Sequence, residues 1–109
     1  MSNVKWMPSA LNDLKSIKEY IARDSIYYAD KLANDIINKS SKLETFPKMG
    51  RVVPEIGDPS VREITHASYR VIYELYDDDV NIVAVIHGKR LLQNAFDDTV
   101  LSKEKDSTN

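Results

Sequence analysis

Residues 69–87, YRVIYELYDDDVNIVAVIH, decide the fold. Apolar side chains recur at alternate positions through Tyr69–Tyr76 and again through Val80–His87. Both runs are rich in Val, Ile and Tyr, residue types that fit a pleated, half-buried surface. Asp77-Asp78-Asp79 between them is the expected hairpin turn. Just upstream, Val61–His66 has the same period of two, so the second half of the chain predicts three consecutive strands. On the alternation rule Arg62, Ile64 and His66 share one face of their strand. Tyr69, Val71, Tyr73 and Leu75 share one face of the next, leaving Arg70, Ile72, Glu74 and Tyr76 on the other.

Working back from these strands, residues 47–60 (PKMGRVVPEIGDPS) hold three of the four prolines and two of the three glycines. They are expected to form an irregular crossing segment, not a domain linker, because neither flank could bury a core alone. Earlier still the period becomes helical. Ala10, Leu14, Ile17 and Ile21 form one apolar stripe, with Leu11 beside it. Ala29, Leu32, Ile36 and Leu43 form a second, widened by Ala33 and Ile37, with Ser40 as its small polar exception. Pro8 suits a first helical position, although Met7 before it has no oxygen with which to cap. Asp24-Ser25 ends the first pattern and can cap the second. Ser41-x-x-Glu44 has the form of a capping box but falls inside the periodic run, so it marks no new helix. Asn3–Met7 alternates weakly around Val4 and Trp6, enough for a short opening strand. From Leu91 the signal fades, and Ser102–Asn109 is expected to be a polar, frayed tail.

The fold class is therefore α+β. A short N-terminal strand and an antiparallel helical hairpin are expected to pack on one face of a largely antiparallel sheet of three to five strands. At 109 residues the chain suits one domain, taken as residues 1–101 followed by the tail 102–109. No apolar run approaches the roughly 20 residues that span a bilayer, and no leader-like N-terminus is present, so a cytoplasmic protein without membrane contact is expected.

Several chemistries drop out. The chain has no Cys, which excludes disulfides, thiolate metal sites and thiol nucleophiles. His66 and His87 are too far apart in sequence for a helical metal pair, and the three glycines form no phosphate-cradling loop. No cofactor or metal is implied. With 15 Lys+Arg against 17 Asp+Glu, the net charge of −2 argues against a protein built mainly to coat nucleic acid. What remains is a set of cations at strands or strand ends: Arg62, His66, Arg70, His87, Lys89 and Arg90. Such a set can bind an anion, support RNA scission or receive an acidic peptide. The plainer fate is salt bridging on a half-exposed sheet face, with Arg70 meeting Glu74 on its own strand or Glu63 across the sheet.

Four blocks, PSALNDLKSIKEYI (8–21), FPKMGRVVPEI (46–56), VREITHASYRVIYEL (61–75) and VNIVAVIHGKR (80–90), together resemble the ParE/RelE superfamily of bacterial type II toxins. The resemblance covers roughly residues 3–91 in the right order. It implies the fold deduced above and a cognate antitoxin whose disordered C-terminal segment folds onto the toxin. That partner would be ParD-like, with a ribbon-helix-helix N-terminus, so that operator DNA is reached only indirectly and the pair serves plasmid stabilisation. RelE-like members cut mRNA in the ribosomal A site; ParE-like members lack that activity and poison DNA gyrase. The acidic balance favours the second branch, as does Phe96, which stands where RelE-like nucleases resemble one another in carrying a tyrosine. Arg70 and Arg90 match the arginines of the shared YR pair and GKR-like element, whereas the lysines of the preceding strand are missing, leaving Arg62. The resemblance thus implies a gyrase inhibitor with no catalytic residues of its own. Leu11, Ile17, Arg62 and Arg70 are its expected antitoxin contacts, in a groove between hairpin and sheet. The alternative is a ribosome-dependent endoribonuclease using Arg62, Arg70, His87 and Arg90.

Overall fold

The computed structural model describes residues 2–89. Arg90, Phe96, the expected domain end at 101 and the tail 102–109 lie outside the described residues. The chain runs β1 (Asn3–Trp6), α1 (Pro8–Ala22), α2 (Ile26–Ser41), a 3-10 turn (Lys42–Glu44), β2 (Arg51–Val52), β3 (Val61–His66), β4 (Tyr69–Tyr76) and β5 (Asp79–His87). The sheet has five strands in the order β1-β5-β4-β3-β2; β1 joins β5 in parallel and every other pairing is antiparallel. The α+β expectation holds, including the short first strand.

Local sequence explains the helix ends. Ser25 caps α2, its hydroxyl accepting from Tyr28 N–H at 3.1 Å, whereas Met7 gives α1 no side-chain cap. Ser41 caps nothing: its hydroxyl donates backwards to the Asn38 carbonyl, and α2 stops there in favour of the 3-10 turn. Both apolar stripes face the sheet, apart from Ile37, which stands exposed. Ala10, Leu14, Leu32, Ala33, Ile36 and Leu43 are buried against Ile64, Val71, Tyr73, Val80, Ile82 and Val85. Ser40 lies buried among them, satisfied by donating to the Ile36 carbonyl at 2.8 Å.

Two expectations need correction. Residues 47–60 are not wholly irregular, since β2 pairs Arg51 with Glu63 and Val52 with Arg62. The β4–β5 turn is also shorter than three aspartates: Asp79 already pairs with Tyr76, and Asp77 takes a positive φ of 52° that reverses the chain in two residues. A register shift opposite Ile72/Tyr73 marks a bulge in β5. It turns Ile82 and Val85 to the helix side, while Val83, Ala84 and Ile86 join Val53, Val61 and Ile72 in a second cluster on the other face.

The two sheet edges are closed differently. β1 covers only Asp79–Ile82 of β5, and α1 closes the remainder. There the Ser9 hydroxyl donates to the Val83 carbonyl at 2.6 Å and the Asp13 carboxylate accepts from Val85 N–H at 2.9 Å. At the opposite edge β2 covers only Arg62 and Glu63 of β3. Beyond it, the Lys39 ammonium at the end of α2 donates to the Thr65 carbonyl. Among the described residues, no helix is long and apolar enough to cross a membrane.

Candidate functional site

The strand register separates the cations that the sequence grouped together. Arg62 lies opposite Tyr73 and so on the helix side of the sheet; Arg70 lies opposite Thr65 and Ile86 on the other side. Each is engaged within the chain. Arg62 donates to the carbonyls of Pro59 (2.9 Å), Gly50 (3.0 Å) and, more weakly, Lys48 (3.5 Å), tying both ends of the crossing segment together. Tyr73 reinforces it from the same face: its hydroxyl donates to the Pro47 carbonyl at 2.8 Å and accepts from Gly50 N–H at 3.0 Å.

Arg70 is buried and holds two carboxylates. Its guanidinium meets Glu55 in a two-pronged pair at 2.7 and 2.9 Å, and its Nε donates to Glu63 at 3.1 Å, with Nη2 on the same carboxylate. Glu63, fully buried, also accepts from Arg51 at 3.0 and 3.1 Å. Two arginines and two glutamates thus form a neutral, hydrogen-bonded network under the loop that follows β2. The bonds to Glu55, then Glu63, hold the Arg70 proton more tightly than usual, so its charge is permanent but internally matched. The sequence pointed to Glu63 as a partner of Arg70; Glu55 was missed, because it lies in an irregular loop where no periodicity assigns a face. Its place in the GRVVPE run, four residues after Arg51, was the available signal.

His87 ends β5 opposite Tyr69, the two rings meeting edge to face at 5.6 Å between centroids. Burial pushes the Tyr69 phenol up, so it stays protonated at neutral pH. This pair stands between two hollows. One, of about 310 Å³, brings together Arg51, Arg70, His87 and Lys89; Arg62 does not reach it. The other, of about 340 Å³, lies between α1 and the end of β5 and is lined by Asp13, Ile17, Tyr20 and Val85 among others. Leu11 does not share it: it is half exposed on α1, whereas Ile17 packs against the core. A third and larger hollow, about 590 Å³, opens beside the uncovered part of β3 between Lys39, Met49, Arg51 and Thr65.

The family described as "ParE toxin of type II toxin-antitoxin system, parDE" matches residues 4–92. Toxin RelE2 of Caulobacter vibrioides is 30% identical over 92 residues, covering 84% of this chain and all of that protein. Two solved structures share the fold. The chromosomal ParDE system of P. aeruginosa superposes with a TM-score of 0.67 at 22% identity, over 80% of this chain and 96% of that one. The RelBE2 toxin–antitoxin complex of Mycobacterium tuberculosis gives 0.57 at 18%, over 79% and 96%.

Proposed function

This chain belongs to the ParE toxin family, within the ParE/RelE superfamily of type II toxin–antitoxin toxins, and from that premise we propose that it inhibits DNA gyrase by protein contact and is neutralised by a cognate antitoxin. The observation that supports this reading most is the neutral Arg51–Glu63–Arg70–Glu55 network. A ribonuclease needs cations free to converge on a phosphate that gathers charge. Here Arg70 is saturated by carboxylates, and Arg62 is spent on loop carbonyls across the sheet. The acidic overall charge points the same way. Purified protein is expected to slow ATP-dependent supercoiling by a gyrase from a susceptible host; unimpaired supercoiling at concentrations that arrest growth would overturn the proposal.

The antitoxin partner is ParD-like and docks on the helical hairpin, where Leu11 and Ile17 offer apolar surface. Its carboxylates reach Arg62 and Arg70 only by exchange with the internal partners. A second reading, ribosome-dependent mRNA cleavage, draws on one observation: His87 and Lys89 share a hollow with Arg70. It requires His87→Ala to abolish A-site cleavage in a translating extract while leaving thermal unfolding in place.

A further inference from the structure

The two sheet edges differ in what closes them, and the difference points to a partner. On β5 the backbone groups beyond β1 are met by Ser9 and Asp13, both fixed on α1. On β3 the exposed acceptor, the Thr65 carbonyl, is met among the described residues only by the tip of a lysine side chain. Lysine has three donors on a flexible four-carbon stem, so it can leave without disturbing the helix that carries it. β2 stops at the Arg51–Glu63 pair, and the next outward-facing residue of β3 in that ladder is Thr65. Thr65 forms the floor of the 590 Å³ hollow, with Met49 and Ile64 as apolar lining. Arg51 stands at one end with its side chain 65% exposed, although bonded to Glu63 on its inner side. Two cations therefore flank a strand edge that no other described residue covers, in a protein of net charge −2.

We infer that this edge receives an extended acidic peptide segment, which adds to β3 as a strand. Lys39 is the placeholder: in the free protein it occupies the carbonyl that an incoming backbone N–H would take, and so guards the edge against self-association. On binding, the peptide N–H takes over the Thr65 carbonyl, the peptide carbonyl accepts from Thr65 N–H, and Lys39 and Arg51 turn to the peptide's carboxylates. This deepens the antitoxin part of the proposed function by naming a docking edge and the chemistry of the segment that fits it.

The test uses the full chain and four fluorescein-labelled octapeptides in polarisation titrations: alternating Val-Glu, alternating Val-Lys, and the Val-Glu peptide N-methylated either at its odd or at its even residues. The Val-Glu peptide is expected to bind at least about tenfold tighter than Val-Lys, in keeping with electrostatic selection between partners. N-methylation in one of the two registers should abolish binding, because strand addition needs the N–H row that faces β3. Lys39→Glu should weaken binding about tenfold, while Lys39→Met retains most of it. Equal binding of all four peptides, or full affinity in Lys39→Glu, would overturn the inference. A neighbouring-gene antitoxin that forms a complex yet leaves the Thr65 amide unprotected in hydrogen exchange would also overturn it, with the antitoxin reading intact. Peptide binding without any effect on gyrase sinks the proposed target and leaves this edge standing.

Discussion

At the residue scale, Tyr73 shows how one oxygen can anchor a whole segment. Its hydroxyl both donates to Pro47 and accepts from Gly50, and burial pushes its proton-release pKa up, so the donor is kept. Tyr73→Phe leaves a buried Gly50 N–H without that acceptor and is expected to cost about 1–3 kcal/mol in urea unfolding. Gly50 is fixed by the same approach: a Cβ there would lie 2.6 Å from the Tyr73 hydroxyl and 2.5 Å from the Glu63 carbonyl. Glu63→Ala leaves Arg70 with Glu55 alone and the network with one unmatched positive charge, and is expected to destabilise by roughly 3 kcal/mol, the low end of the range for breaking a buried pair from one side. Ala67 works in the opposite sense. It turns the chain between β3 and β4 at a φ of 53°, a region that alanine enters at a cost of about 1 kcal/mol. Ala67→Gly should therefore raise the urea midpoint without changing the slope.

At the element scale, Ser25 is the clearest link between sequence and stability. Ser25→Ala removes the α2 cap and is expected to lower stability by about 1 kcal/mol, measured by thermal unfolding. Elements with strong periodicity were legible in the sequence: the stripes of α1 and α2, the alternation of β3 to β5, and the false capping box at Ser41. β2 was not, because a two-residue strand is too short for any period and is created by its pairing with β3. The site was legible only in composition. Alternation does place Arg62 and Arg70 on opposite faces when carried through the two-residue turn that joins β3 to β4, but only the register reveals where that turn begins. Glu55 sits in a loop where no periodicity assigns a face, so its pairing with Arg70, unlike that of Glu63, came from tertiary structure.

At the scale of the whole molecule, charge is spent internally. The arginines that look like an anion site in the sequence bind the crossing segment to the sheet on both faces, and among the described residues that line the hollows Lys39, Lys89 and the outer side of Arg51 face other molecules. Induction in a susceptible host is accordingly expected to give filamentation with DNA damage while protein synthesis continues. Early loss of labelled amino-acid incorporation would point to the ribosome instead.

The parallel joint between β1 and β5 has a consequence for how the protein comes into being. Asn3 meets Asp79, so the first strand made must wait for the last strand described before it has a neighbour. At bacterial synthesis rates of about 5–20 residues per second, that wait lasts several seconds. A nascent or truncated chain ending before Val80 carries the helical hairpin without the strand on which α1 rests. The sheet therefore closes only once β5 has been made, because β1 and α1 both take their backbone partners from it.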